Sequence, residues 1–181
     1  MEVRRLREDD DRTSFGSGDE DLDSFFRRFA GQNQFRSHIG TTYVAVDDGV
    51  VVGFATIAAG DLEIDGLPQA ARKKLPRYPV PVLRLARLAV DQRAQGQGIG
   101  KLLLRCVFDL ASKMSHEYGC IGVVVDAKDS AVSFYEALGF FELEVLEGHQ
   151  QTRPQPKAMF LPLKEIEAAR KAKKPPAAAA R

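Results

Sequence analysis

At 181 residues the chain suits one domain with a sizeable core. Its 44% hydrophobic and 28% charged residues are ordinary for a soluble globular protein. A formal net charge of +1 excludes a global field drawing the protein onto nucleic acid or membrane, so any basic surface is local.

The N-terminal MEVRRLREDD lacks the hydrophobic region of a signal peptide, and no apolar run approaches a membrane span. A cytoplasmic location without membrane contact is the expectation. Residues 2–6 suit a short first strand. Asp19 reads as a helix N-cap, and Leu22, Phe25, Phe26 and Phe29 follow at the spacing of one buried helical face. TTYVAVDDGVVVGFATIAA is two β-rich runs joined at Asp48-Gly49, a strong hairpin signal. Residues 60–80 hold three prolines and a basic cluster, and read as a loop with one helical turn inserted before the strand PVLRLARLAV. After QGQGIG, residues Ile99, Leu102, Leu103, Cys106, Val107, Leu110 and Met114 form a helical stripe. Residues 121–125 suit a buried strand, 129–138 a short helix ended by Gly139, and 140–146 and 158–163 closing strands. The domain spans 1–163, and 164–181 is a basic tail, helical and then of low complexity. Cys106 and Cys120 are expected as buried thiols, and His38, His116 and His149 lack ligand spacing, so no metal is assigned.

The chemistry concentrates in Leu88-Ala-Val-Asp-Gln-Arg-Ala-Gln-Gly96-Gln-Gly98-Ile-Gly100-Lys101, a strand running through three glycines into a helix. Unpaired N–H groups at a helix start face the positive end of its dipole and hold phosphate well, and glycines admit the anion to the main chain. A dinucleotide fingerprint G-x-G-x-x-G fails because Lys101 holds its last position. A P-loop fails because position 95 is Gln and position 102 is Leu.

Arg93-Ala-Gln-Gly96-Gln-Gly98 matches R-x-x-G-x-G, and Ala131-Val-Ser-Phe-Tyr135-Glu-Ala-Leu-Gly139-Phe140 matches A-x-x-[FL]-Y-x-x-x-G-F. In order and separation these resemble the pyrophosphate loop and the following tyrosine motif of the GNAT N-acetyltransferases. The resemblance covers roughly residues 2–163 and implies an α+β (mixed α/β) fold. Its mostly antiparallel sheet is flanked by helices and splayed between the fourth and fifth strands. Acetyl-CoA is the implied cosubstrate. Leu88, Ala89 and Val90 would offer main-chain groups to its pantetheine arm. Arg93, Gln95, Gly96, Gln97, Gly98, Ile99, Gly100 and Lys101 would cradle its pyrophosphate. Tyr135 would protonate the departing thiolate after direct attack by an amine, since a phenol of pKa about 10 keeps its proton at neutral pH. Many members carry Asn where this chain has Lys128, which alters a side-chain contact to the pantetheine. The general base is open: Glu63 and Asp65 are candidates by loop position alone.

Further segments resemble the acetyltransferase toxins of bacterial toxin–antitoxin pairs, which acetylate the amine of aminoacyl-tRNA. These are Phe15-Gly-Ser17-Gly18 with Leu22-Asp23-Ser-Phe25, Ala30-Gly-Gln32-Asn33-Gln34, and Leu75-Pro-Arg-Tyr78-Pro-Val-Pro81 leading to Leu85-Ala-Arg87. Ser17 stands where the usual residue is Cys. Lys73, Lys74, Arg77, Arg84 and Arg87 form a basic set on the expected acceptor side, suited to tRNA phosphates or to plain solvation. The resemblance also implies a ribbon-helix-helix antitoxin partner and a homodimer. Two alternatives stay open: a GNAT enzyme for a small-molecule or protein amine, and a non-catalytic acetyl-CoA-sensing or partner-binding module.

Overall fold

A computed structural model describes residues 1–143 and 156–173. One seven-stranded sheet runs in the order β1-β2-β3-β4-β5-β7-β6. Its strands are β1 (Glu2–Arg5), β2 (Thr41–Asp47), β3 (Val50–Leu62), β4 (Val80–Val90), β5 (Gly122–Ala127), β6 (Phe141–Glu142) and β7 (Lys157–Pro162). All neighbours are antiparallel except β4 and β5, which run parallel. The helices are α1 (Glu20–Ser24), α2 (Gln69–Arg72), α3 (Ile99–Glu117), α4 (Val132–Glu136) and α5 (Leu163–Lys173). This is the mixed α/β, mostly antiparallel architecture that the sequence implies.

The β2–β3 turn is as tight as Asp48-Gly49 suggests: both residues have positive φ (45° and 79°), and Asp47 pairs with Val50. Positive φ at both central positions gives a turn whose twist matches that of the strands. On one face of the sheet, α3 buries Ile99, Leu103, Val107 and Ala111 at four-residue steps, with Leu104 beside them. Cys120 is buried, but Cys106 lies at the border of this stripe and is only half-buried; both thiols are free.

The opposite face is covered by the N-terminal helical segment. Asp19 caps α1, accepting from the Asp21 and Leu22 N–H groups at 3.1 and 3.3 Å. Beyond Ser24 the chain winds into two π-helical turns, Phe25–Phe29 and Gln32–Arg36. A π turn holds an extra residue, so the 3.6-residue period slips. Phe25, Phe26, Ala30 and Gln34 consequently point inward, whereas Phe29, expected on the buried face, is 48% exposed. Phe26 stacks on Phe54 of β3 with centroids 4.3 Å apart, and Phe15 meets both rings edge-on.

The β3–β4 arms run further than expected, so the insertion shrinks to residues 63–79. It holds a 3-10 turn at Ile64–Gly66 and α2, anchored by buried Leu67 among Val82, Val124 and Phe160. The segment read as a helix over 129–138 opens with a 3-10 turn, Asp129–Ala131, and is α-helical only through α4. Of the strand read over 140–146, Phe141 and Glu142 pair with β7; residues 144–155 lie outside the described ones. Helix α5, read as the helical start of a tail, packs on the domain: its Ile166 is buried in the core and its Arg170 pairs with Asp109 of α3 at 2.9 Å. The tail from residue 174 likewise lies outside the described residues.

Gly122 opens β5 where a Cβ would stand 2.3 Å from the Leu161 carbonyl and 2.5 Å from the Phe160 ring. Because the nearest obstacle is main chain, Gly122→Ala must part β5 from β7. A loss of roughly 1–3 kcal/mol is expected in urea unfolding, the usual cost of overpacking.

Candidate active site

The parallel β4–β5 ladder is only three residues long, pairing Leu83, Arg84 and Leu85 with Val123, Val124 and Val125 in that order. Just past Leu85 the β3–β4 register shifts, leaving Ala86 as an extra residue between Leu85↔Ile57 and Arg87↔Thr56. Such a bulge sharpens strand twist. It falls where β4 leaves β5, so Arg87–Val90 pair with β3 on one side and, among the described residues, with no strand on the other. Alternate N–H and C=O groups of this stretch therefore point into a gap between the strands. The Val90 carbonyl accepts from Gln95 Nε2 at 3.1 Å. Leu88, Ala89 and Val90, the expected pantetheine-facing residues, all lie on this open edge.

At the end of the gap, Gly96 and Gly98 take φ of 78° and 82°, the left-handed region that favours glycine. Gly98 is the N-cap of α3, and no side chain caps the helix, so its first N–H groups are left for an anion. The ring of Phe134 lies 3.4 Å from where a Gly100 Cβ would be, with Val90 Cγ2 at 3.9 Å. This brings α4, the start of α3 and the end of β4 together around the gap. Lys101 is exposed on the first turn of α3.

Arg93 is engaged by the protein itself. Its guanidinium binds Asp91 through Nε at 2.7 Å and Nη2 at 2.9 Å, and reaches the Ser14 carbonyl at 3.4 Å. Asp91 is 2% exposed and also accepts from the Gly16 N–H at 3.1 Å. The Arg93 hydrogen bonds outweigh the desolvation of the carboxyl and hold its pKa down at about 2. Gln95 adds a bond to the Ser17 carbonyl at 2.9 Å, and Gln97 reaches the Arg93 carbonyl at 3.4 Å. None of the sequence motifs points to Asp91, although an acid two residues before Arg93 at a strand end is a recognisable turn signal.

Tyr135 lies on α4 and is 5% exposed, with Phe134 and Phe140 edge-on at 5.2 and 5.3 Å. Burial pushes its phenol well above the usual range, so it keeps its proton throughout the physiological range. Lys128, just past the end of β5, gives its ammonium to Asp19.

The basic set divides. Arg84 is neutralised by Asp126 across the strands at 2.8 Å. Arg87 lies 3.8 Å from the centroid of Phe25, and among the described residues no carboxylate pairs with it. Lys73, Lys74 and Arg77 follow α2, and all three are exposed. Asp65 is engaged by Arg72 at 3.8 Å, while Glu63 precedes the 3-10 turn of the insertion. The toxin-like motif residues hold the N-terminal segment in shape. Asp23 accepts from the Ser17 N–H and hydroxyl at 2.8 and 2.6 Å, and buried Gln34 joins the Leu6 carbonyl to the Thr42 N–H at 2.9 and 2.7 Å. Among the described residues no cluster suits a metal ion, and no helix is long and apolar enough to cross a membrane.

A sheet parted beside a glycine-led helix start defines an acyl-CoA-binding fold. The acetyltransferase (GNAT) domain model matches residues 38–142, and the chain belongs to that family. It is an acetyl-CoA-dependent N-acetyltransferase. It is 37% identical over 138 residues to a tRNA-acetylating toxin of Mycobacterium tuberculosis, covering 76% of this chain and 82% of the relative. Among solved structures it is similar to AtaT complexed with acetyl-methionyl-tRNAfMet, with a TM-score of 0.80 and 30% identity over 93% of this chain and 98% of that one. A tyrosine-to-phenylalanine mutant of KacT matches with a TM-score of 0.78 and 29% identity, over 93% and 99% of the two chains.

The Asp91 cluster makes a pH prediction. A carboxyl whose folded pKa is depressed adds stability above its unfolded pKa of about 3.9, and that stability is lost as pH falls toward the folded value. Asp91→Asn should lower urea stability by roughly 1–3 kcal/mol at pH 7, and the gap from the parent protein should narrow between about pH 4 and pH 2.

Proposed function

We propose that this enzyme transfers the acetyl group of acetyl-CoA to the α-amine of an aminoacyl-tRNA, with Tyr135 as general acid. The amine nitrogen attacks the thioester carbon, the C–S bond breaks, and the phenol proton of Tyr135 passes to the leaving thiolate. The amine sheds its surplus proton to solvent, and solvent returns a proton to the Tyr135 phenolate before the next turnover. The observation that carries the reading is Arg87: a half-buried cation beside the open edge of β4, on the Phe25 face, without a carboxylate partner among the described residues. A cation there disfavours lysine side chains and polyamines and favours an acceptor carrying phosphates. Exposed Lys73, Lys74 and Arg77 in the β3–β4 insertion add further positive charge, and the tRNA-acetylating relatives support the assignment.

An α-amine also suits a site without an assigned base, since its pKa of roughly 7.7–8.0 leaves a useful neutral fraction at pH 7. The main-chain groups of Leu88–Val90 and the Gln95–Lys101 turn would hold the pantetheine and pyrophosphate. An antitoxin of the ribbon-helix-helix kind and a homodimer belong to the same reading; complexes of AtaT with the antitoxin AtaR support an antitoxin partner.

Tyr135→Phe should lower kcat by about 10²-fold, the scale of lost general-acid help, with acetyl-CoA affinity near that of the parent; an unchanged kcat removes Tyr135 from the mechanism.

Labelled acetyl-CoA offered with bulk aminoacyl-tRNA, a small-amine panel and a lysine-bearing peptide mixture tests the acceptor. Label is expected on aminoacyl-tRNA alone. Label confined to small amines or peptides overturns the tRNA assignment, and CoA binding without thiol release overturns catalysis itself.

A further inference from the structure

The two lips of the gap are joined by an ion pair that the reaction does not itself require. One lip is β4 with the turn that follows it. Residues 14–19 are fastened to that lip: the Gln92 N–H donates to the Gly16 carbonyl at 2.8 Å, Gly16 N–H donates to Asp91 at 3.1 Å, and Gln95 Nε2 donates to the Ser17 carbonyl at 2.9 Å. Gly18 packs so closely that its Cβ would stand 2.7 Å from Gln92 Nε2. Asp19 is therefore carried by the β4 lip. The other lip is β5, which ends at Ala127, and Lys128 is the next residue.

β4 and β5 stop pairing at Leu85 and Val125, and Arg84–Asp126 sits at that fork. Beyond it, Lys128–Asp19 is the ion pair that crosses from one lip to the other among the described residues. Its side chains are 50% and 31% exposed, so it is in contact with solvent and adds little to global stability. It can open without unfolding anything, because Asp19 keeps its capping bonds to α1 and Gly16–Ser17 keep theirs to Asp91 and Gln95.

We propose that Asp19 and Lys128 are positioning residues that clasp the two lips across the pantetheine arm, slowing escape of acetyl-CoA and CoA. This rests on the reading that the arm lies between β4 and β5. The ammonium then acts on the cosubstrate through Asp19, in place of a direct side-chain contact.

Stopped-flow dissociation of CoA from the full chain tests the clasp. Lys128→Gln and Asp19→Asn should each raise the off-rate about three- to fivefold, the scale of an exposed ion pair. Asn caps a helix as well as Asp, so the second variant leaves α1 capped. The double variant should be no faster than either single one, Lys128→Arg should keep the slow rate, and added salt should speed release from the parent protein more than from Lys128→Gln. Off-rates equal to the parent's, or additive effects in the double variant, overturn the clasp. Gly98→Glu separates the two readings: it places bulk and negative charge at the glycine turn, so normal CoA affinity there overturns the cosubstrate site itself. Lost affinity in Gly98→Glu with unchanged off-rates in the Lys128 and Asp19 variants overturns the clasp alone.

Discussion

Buried main-chain N–H and C=O groups have to be paired, and the edge of β4 from Arg87 to Val90 leaves that requirement unmet by the sheet. The bulge at Ala86 turns the strand away from β5 at the last paired residue, and the surrounding elements hold the gap in shape. On the α3 face Phe134 lies against Gly100, close to Val90; on the other face the Asp91 cluster fixes the N-terminal segment. A ligand rich in amide groups satisfies such an edge as a strand would, and the proposed seat of the pantetheine arm rests on that match.

Charge is distributed by function across the same region. Asp91 is an acid whose role is mechanical: it is buried, bound by Arg93 and unavailable as a base. Tyr135 is kept neutral by burial among aromatic rings. Two arginines three positions apart on one strand have opposite surroundings, Arg84 against Asp126 and Arg87 against Phe25.

Much of this is legible in the sequence because the deciding signals are local. The Asp48-Gly49 turn, the α3 stripe and the glycines before α3 each depend on residues a few positions apart. Phe29 leaves its expected face because a π turn changes the helical period without a distinctive composition. The use of Lys128 is not legible for another reason: its partner Asp19 lies 109 positions away in the chain. Arg84 is the same case, with Asp126 supplied by the neighbouring strand.

The anchoring of Gly16 on Asp91 also has a consequence for the order in which the molecule assembles. The two residues are 75 positions apart. At roughly 5–20 residues per second, the N-terminal helix leaves the ribosome several seconds before the carboxylate that fastens it. β3 and its Phe54 emerge partway through that interval, but the clamp waits for Asp91 at the end of β4, so the segment carrying Phe15, Phe25 and Phe26 is among the last to settle.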